Sequence, residues 1–337
     1  MRLAGRIDRH RIDSRLLRGN PLGDPHEREL YVYVPPDYES SAGTRYPVVV
    51  ALAGYGSTNH SLLNYDFFQP SAVERFDRLI REGRMQPALL VLPDAINRWA
   101  GSQFLDSLAT GPYQSHLADE IVAFVDAHYR TVPAREARAV VGRSSGGFGA
   151  LRLGIDRPDV FGAIGSHAGD SAFETSILPE LPAAAIAYDR AGGVSGFIAR
   201  FEQDRTRVSF TGLMLLAYAA AYAPAPEAGL PFCELPVDSR TGELRVSIWQ
   251  RFMAHDPIER VQRDPDALRN ATLVYLDAGD RDEHGLHFGT RRLAQLLTQR
   301  GVRVHHEEFE GGHRGTSHRY DVSWPLLVDT CTRAVAG

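Results

Sequence analysis

The sequence contains no lysine, so all 37 of its basic residues are arginine. Several catalytic strategies depend on a lysine amine: Schiff-base formation, the Walker-type phosphate-binding loop, and the Ser-Lys dyad of some hydrolases. The composition therefore excludes these three mechanisms before any motif is considered.

Cysteine is scarce, and neither basic nor acidic residues dominate the composition. The two cysteines, Cys233 and Cys331, have neither metal-binding nor redox spacing. The 37 basic residues are balanced by 42 acidic residues, for a net charge of -5, and no basic cluster is long enough to follow a phosphate backbone. We therefore expect no metal, no cofactor and no nucleic-acid partner.

Long hydrophobic runs are also absent. The longest, residues 213–223, is too short to cross a bilayer and is followed closely by Pro224 and Pro226, so we interpret it as a buried helix. The arginines near the amino terminus have no apolar stretch behind them, as a signal peptide would require. These features predict no membrane span and a cytoplasmic protein.

What the sequence does contain is an alternation of strand and helix patterns. Its 337 residues, 43% of them hydrophobic, are enough to bury a full core. Residues 28–35 alternate with a period of two, which is typical of a half-buried strand. Later runs are continuously apolar or strand-like, as parallel strands covered on both faces require, at 47–53, 88–92, 138–141, 272–276 and 302–309. A helical face at 117–128 lies between such runs. The pattern predicts a single α/β domain over residues 1–337, with a mostly parallel sheet flanked by helices.

The alternation lapses between about residues 171 and 264. This stretch is rich in alanine, proline and glycine, and it has helix-like segments but no convincing buried strand. We predict an inserted, cap-like segment within the domain. Its expected place is over the carboxyl ends of the strands, where open α/β sheets bind ligands.

A glycine-rich turn follows the strand at 138–141. The segment 142–146 (GRSSG) matches G-x-S-x-G, in which a serine hydroxyl is exposed on a sharp turn between a strand and a helix. The motif predicts Ser144 as a nucleophile. Ser145 is the alternative, although it lacks a glycine two positions before it.

A serine nucleophile needs a base and a group that orients the base. His313 lies in the glycine-rich loop after the last predicted strand, and we predict that it is the base. The acid lies among three candidates in the loop after residue 276, namely Asp277, Asp280 and Asp282, of which Asp277 ends the strand and is expected to support the turn. His284 and His287 could suggest a metal pair, but no third ligand is in register.

Acyl transfer also requires amide donors for the oxyanion. The backbone amide of Ser145 follows the nucleophile, and the loop after the strand at 47–53 offers the amide of Tyr55. A polar and aromatic loop follows the strand at 88–92. We predict that substrate contacts its side chains Asp94, Trp99, Gln103 and Phe104.

Taken together, these motifs resemble the putative-esterase family, which includes esterase D-type S-formylglutathione hydrolases, feruloyl esterases, enterochelin esterases and mycolyltransferases. The resemblance covers most of the chain and rests on the elbow and on segments 29–38, 51–56, 92–94, 276–283 and 309–313. It implies the α/β-hydrolase fold, here with a helical insertion after the sixth strand. In that family the acid follows the glycine by three positions, which implies Asp282. Two features depart from it: Ala53 stands where many members have histidine, and the insertion is long.

The function that follows is serine-dependent hydrolysis of a small carboxylic ester through an acyl-enzyme. An acyltransferase or a thioesterase similar to S-formylglutathione hydrolase would use the same triad. A non-catalytic binding protein on a hydrolase scaffold is the alternative of another class. The acid and alcohol parts of the substrate stay open, as does assembly into a homo-oligomer.

Overall fold

A sheet of eight strands forms the centre of the protein. It is seen in a computed structural model that describes residues 3–64, 66–264 and 266–336. The strands are β1 (Arg6–Asp13), β2 (Glu27–Val34), β3 (Val48–Leu52), β4 (Leu89–Pro93), β5 (Arg138–Arg143), β6 (Ala163–His167), β7 (Leu273–Gly279) and β8 (Val304–Phe309). Their order across the sheet is β1-β2-β4-β3-β5-β6-β7-β8. A separate two-residue ladder joins Asp106–Ser107 to Gly111–Pro112.

Strand direction divides the sheet into two parts. β1 and β2 are antiparallel to their neighbours, whereas every pairing from β4 through β8 is parallel. The parallel strands β3, β4, β6 and β7 are buried along their whole length, because helices cover both faces. The prediction of an α/β-hydrolase fold with a mostly parallel sheet is confirmed.

Helices cover both faces of the sheet and fill the segment between β6 and β7. They are α1 (Ala72–Arg81), α2 (Tyr113–Ser115), α3 (Val122–His128), α4 (Ser145–Asp156), α5 (Phe173–Ser176), α6 (Leu181–Arg190), α7 (Val194–Gln203), α8 (Phe210–Tyr222), α9 (Val246–Met253), α10 (Pro257–Arg263), α11 (Leu286–Gln299) and α12 (Tyr320–Ala336). Because side chains alternate along a strand, Val48 and Val50 pack into one hydrophobic cluster while Val49 and Ala51 pack into another. No helix within the described residues has both the length and the apolarity to cross a membrane.

Two strands of the sheet lie outside the strands predicted from sequence. β1 (RIDRHRID) is an edge strand made mostly of charged residues, and only Ile12 in it is buried. β6 (AIGSH) is only five residues long and is rich in small side chains. The helical face predicted at 117–128 is present, but it is divided between a π-helical turn, His116–Ile121, and α3.

The segment 171–264 leaves the sheet after β6 and returns before β7. It contributes α5 to α10 and no strand of the main sheet among its described residues. α8 lies at its centre, and every residue from Gly212 to Tyr222 is buried. These apolar side chains pack with those of α6 and α7, and with Trp99 and Phe148 of the surrounding fold, in one hydrophobic cluster. The run interpreted as a buried helix is therefore α8.

Candidate active site

Ser144 occupies a strained turn between β5 and α4. Its backbone φ is 59° and its ψ is -127°, a conformation that L-residues other than glycine rarely adopt. The turn is tight enough that a Cβ on Gly142 would overlap the backbone of Gly146, and a Cβ on Gly146 would overlap the carbonyl of Leu52. The amide of Ser144 donates to the carbonyl of His167 at 2.9 Å. The two glycines are thus required by close backbone approach, and the serine is held at the carboxyl edge of the sheet.

Two hydrogen bonds connect Ser144 to a buried carboxylate. The Nε2 atom of His313 lies 3.1 Å from Oγ of Ser144, and Nδ1 lies 2.8 Å from Oδ2 of Asp282. The side chain of Asp282 is fully buried and that of His313 is 12% exposed. The Glu283 carboxylate accepts the backbone amide of His313 at 2.7 Å and thereby fixes the loop that carries the imidazole. Three residues predicted from sequence therefore come together.

Hydrogen bonds keep Asp282 ionised. Burial alone would raise its pKa, but the hydrogen bond with His313 and the backbone amides of His284 and Leu286 lower the pKa below its ordinary value. An ionised carboxylate accepts a hydrogen bond from the protonated Nδ1, which leaves Nε2 unprotonated and free to accept the hydroxyl proton of Ser144. The arrangement can deprotonate the serine.

Asp280 is placed differently, although it lies two residues before Asp282. Its side chain is 46% exposed, and its carboxylate accepts the backbone amide of Gly311 at 3.0 Å. It makes no hydrogen bond with His313. The geometry therefore favours Asp282 over Asp280, as the resemblance implied.

Asp277 belongs to a buried polar network beneath the site. Its carboxylate bonds Nδ1 of His167 at 2.7 Å, the hydroxyl of Tyr275 at 2.8 Å and Nε of Arg319 at 2.8 Å. Nε2 of His167 lies 2.9 Å from the hydroxyl of Ser323. Although this is a second Ser-His-Asp set, Ser323, His167 and Asp277 are all at most 3% exposed, and their polar side-chain atoms are already hydrogen-bonded to one another or to Tyr275 and Arg319. Its role is to hold β6, β7 and α12 together.

Two backbone amides beside Ser144 are available as donors. Neither the amide of Ser145 nor that of Tyr55 donates to an acceptor within the described part of the chain. The loop that carries Tyr55 packs against the elbow: a Cβ on Gly54 would lie 3.6 Å from Cβ of Ser144. Both amides therefore adjoin the serine, as an oxyanion site requires.

The loop that carries Tyr55 is anchored although Ala53 stands where the resembling family often has histidine. The hydroxyl of Tyr55 donates to the carbonyl of Trp99 at 3.0 Å, and the amide of Gly56 donates to the carbonyl of Ala100 at 2.9 Å. The loop after β3 is thus tied to the loop after β4. These two hydrogen bonds hold the Tyr55 loop in place, a role for which the sequence alone suggested no residue in the absence of the histidine.

A small cavity lies between the loops that follow β3 and β4. Gln103 and Phe104 line it together with Tyr55 and Ser145, and its volume is about 20 Å³. Gln103 and Phe104 have φ values of 53° and 54°, so two consecutive residues adopt the left-handed conformation. Such strain is concentrated at functional sites. We therefore expect that any contact of this loop with substrate is made in this cavity.

Asp94 and Trp99, also predicted to contact substrate, do not line this cavity. Trp99 is completely buried in the hydrophobic cluster of the insertion. Asp94 accepts the backbone amide of Ile96 at 3.1 Å and lies 3.4 Å from the guanidinium of Arg28. Both positions indicate support of the loop rather than contact with a ligand. A polar and aromatic loop pattern does not distinguish these two roles.

Sequence reasoning missed Asp170, a buried carboxylate beside His313. It is 5% exposed, and its contacts with the hydroxyl of Tyr218 are long, at 3.5 Å to each oxygen. The pKa of Asp170 is raised to about 6, mainly by burial and also by the charge of Asp282, although His313, His284 and the hydrogen bond with Tyr218 act in the opposite direction. Because Asp170 follows β6, the rule that places functional groups after parallel strands would have found it, had that strand been recognised.

We expect Asp170→Asn to stabilise the protein at alkaline pH. A carboxylate whose folded pKa is about 6 and whose ordinary value is 3.8 destabilises the folded state most above pH 6, and stability returns as the pH falls. An asparagine avoids this loss, which is on the order of 3 kcal/mol at pH 8 and roughly half of that at pH 5. Thermal unfolding of both proteins at the two pH values measures it. Asp280→Asn serves as the exposed control, and a variant less stable than wild type at pH 8 would contradict the assignment.

His284 lies next to His313 rather than in a metal pair with His287. The rings of His284 and His313 meet edge to face with centroids 5.0 Å apart, and Nδ1 of His284 lies 3.4 Å from Glu180 of the insertion. The described residues contain no group of three or more His, Cys, Asp or Glu side chains placed to hold a metal ion.

Comparison with known proteins agrees with this architecture. The sequence model of the family described as "Putative esterase" matches residues 24–323. Esterase Rv1288 of Mycobacterium tuberculosis is 28% identical over 166 residues, which are 48% of this chain and only 34% of that protein. The chain therefore spans about a third of the length of the curated relatives it matches.

Solved structures show the same fold. A ferulic acid esterase superposes with a TM-score of 0.62 at 18% identity, covering 98% of this chain and 100% of the other. An S-formylglutathione hydrolase from Agrobacterium tumefaciens superposes with a TM-score of 0.56 at 15% identity, covering 100% and 95%. The match of the family model over residues 24–323 shows that this chain belongs to the putative-esterase family of α/β-hydrolases.

Proposed function

We propose that this protein hydrolyses carboxylic esters, with Ser144 as nucleophile, His313 as general base and Asp282 as the group that orients the imidazole. The observation that carries the proposal is the pair of hydrogen bonds, 3.1 Å and 2.8 Å long, that joins these side chains at a strained turn. Family membership supports the reaction class. The scheme uses no metal and no organic cofactor.

The reaction has two halves. Oγ of Ser144 attacks the ester carbonyl while its proton passes to Nε2 of His313, and the tetrahedral intermediate collapses as that proton moves to the departing alcohol. Water then attacks the acyl-enzyme, with His313 again accepting a proton and returning it to Ser144. Asp282 stays ionised throughout and stabilises the imidazolium.

The amides of Tyr55 and Ser145 supply the charge stabilisation in this scheme. Negative charge grows on the carbonyl oxygen in each tetrahedral intermediate, and one preorganised donor contributes about 2.7–4 kcal/mol to the stabilisation of such a charge. The free amides and the packing of Gly54 against the elbow support this role.

Segment 171–264 acts as a cap in this proposal. It brings Tyr218 to Asp170, and Glu180 to His284, so its side chains lie around the same edge of the sheet as His313. The substrate is a small molecule that enters between this segment and the loops after β3 and β4.

Acyl transfer to an alcohol and thioester hydrolysis would use the same three side chains. The two alternatives differ from ester hydrolysis only in the acceptor or the leaving group. Product analysis with water and an alcohol in competition, and a thioester assayed beside its oxygen ester, separates them. Binding without catalysis does not require a buried carboxylate, an imidazole and a strained serine connected by hydrogen bonds, so the arrangement of Asp282, His313 and Ser144 favours an enzyme.

A short aryl ester and a fluorophosphonate probe test the proposal together. We expect turnover of phenyl acetate and covalent labelling of one serine, identified as Ser144 by peptide mass spectrometry. Absence of both turnover and label, in a protein shown to be folded by circular dichroism, would favour the binding protein instead.

A further inference from the structure

The amide of Gln103 is buried without a partner in the cavity beside Ser145. Gln103 is completely buried, and neither its Nε2 nor its Oε1 has a hydrogen-bond partner among the described residues. Ser145 lines the same cavity. Buried polar groups are nearly always paired, so the side-chain amide of Gln103 is available to bind a water molecule or a ligand.

Hydrogen bonds within the loop fix the backbone on both sides of Gln103. Oδ1 of Asn97 accepts the amides of Trp99 and Gly101 at 3.0 Å and 3.1 Å, and Oγ of Ser102 accepts the amide of Phe104 at 3.2 Å. The ring of Phe104 packs so closely on α4 that a Cβ on Gly149 would overlap it. The left-handed backbone of Gln103 is therefore fixed from both sides, which is the preorganisation that recognition of a small group requires.

The cavity is small and uncharged. Its volume of about 20 Å³ has room for one water molecule or one group of similar size. None of the described residues that line it carries a charge, so neither an ammonium nor a carboxylate would find a counter-ion there. A primary amide offers both donors and acceptors, which a neutral hydroxyl matches.

The position of the cavity assigns it to the acid part of the ester. His313 follows β8 and must protonate the departing alcohol, so the alcohol part lies on the β7 and β8 side of Ser144. The cavity lies on the opposite side, between the loops after β3 and β4, which are adjacent in the sheet. The acid part therefore extends toward Gln103.

We infer that the enzyme prefers esters of short 2-hydroxy acids, such as glycolyl esters, whose hydroxyl pairs with the side-chain amide of Gln103. This inference rests on the proposed function and names its substrate class. A pocket that presents unpaired polar atoms rejects an alkyl isostere, because binding the isostere leaves those atoms without hydrogen bonds. The small volume of the cavity adds a second limit, because a group larger than a hydroxyl fits it less well.

Phenyl glycolate and phenyl propionate form a matched pair for the test, since they have equal numbers of heavy atoms and the same leaving group. Each kcat/KM is divided by the rate constant for hydroxide hydrolysis of the same ester, which removes the difference in intrinsic reactivity. We expect this normalised ratio to favour glycolate by about 10- to 100-fold. Phenyl methoxyacetate, which adds one carbon to the hydroxyl, should be a poorer substrate than glycolate.

The variant Gln103→Leu keeps a similar volume and removes the amide, so the normalised ratio should fall to near 1. Gln250→Leu, on an exposed face of α9, is the matched control and should keep the wild-type ratio. If Gln103→Leu does not fold, the comparison of glycolate with methoxyacetate in the wild type still tests the cavity.

Two results would overturn the inference alone: a wild-type ratio near 1, or a ratio that Gln103→Leu leaves unchanged. In both cases propionate turnover and fluorophosphonate labelling of Ser144 would still support the proposed function. If no ester is turned over and no serine is labelled, the proposed function fails and this inference fails with it.

Discussion

Ser144→Ala abolishes turnover of a short ester while the protein stays folded, and this is the largest effect we expect from any single substitution. The hydroxyl forms the covalent bond to the acyl group, so its removal leaves only binding and the oxyanion donors to act on the ester. The measurement is kcat at saturating ester, with circular dichroism to verify folding. Residual kcat above a thousandth of the wild-type value would contradict the assignment.

Two further variants make this test decisive. Ser145→Ala keeps its backbone amide and should still be labelled by a fluorophosphonate, whereas Ser144→Ala should lose the label. The reverse pattern would make Ser145 the nucleophile. Ser144→Gly is a second version of the inactive enzyme, because glycine tolerates the φ of 59° that the turn imposes.

Asp282→Asn should reduce kcat by about 10⁴-fold, as substitution of the triad carboxylate by an amide does elsewhere. The reason lies in the second oxygen of this side chain. Oδ1 accepts the backbone amides of His284 and Leu286 at 3.0 Å and 3.4 Å, so an asparagine would keep its oxygen there and turn its NH₂ toward His313. The imidazole would then carry its proton on Nε2, where it cannot accept the proton of Ser144.

Asp280→Asn is the matched control for this prediction. Its side chain is 46% exposed and its hydrogen bond to the Gly311 amide can be kept by the asparagine oxygen, so we expect kcat within a few-fold of wild type. Both variants are compared at one pH, with circular dichroism spectra recorded for each. If kcat were strongly reduced in Asp280→Asn and close to the wild-type value in Asp282→Asn, the orienting carboxylate would be Asp280 instead.

The buried strands could be predicted because parallel strands covered on both faces read as continuous apolar runs. The runs at 47–53 and 88–92 became β3 and β4, each within one or two residues at its ends. β1 was not predicted because an edge strand that pairs on one side only can consist mostly of charged residues, which gives it no apolar pattern. β6 was not predicted because it packs closely against its neighbours and therefore has small residues in place of large apolar ones. For example, a Cβ on Gly165 would overlap the side chain of Val141.

The candidate site divides in the same way. Ser144 and His313 could be named because each lies in a turn whose chain position the fold dictates, whereas the choice of Asp282 among three aspartates of one loop rested on the family resemblance. Asp170 was missed because β6 was not recognised, and its contact with Tyr218 could not be predicted, since it depends on how the insertion packs over the sheet. Trp99 and Gln103 come from one loop, yet one supports it and the other lines a cavity. Only the three-dimensional contacts distinguish them.

The distance along the chain between serine and base has a consequence for synthesis. His313 follows Ser144 by 169 residues, and it lies just beyond β8, which pairs with β7 alone. At about 5–20 residues per second, a ribosome needs roughly 10–30 s to travel from the serine to the histidine. During that interval the nascent chain carries a hydroxyl with no base to activate it. In the proposed mechanism, reactivity is therefore acquired only when β8 joins the sheet, so a reactive serine also reports that β8 has paired with β7.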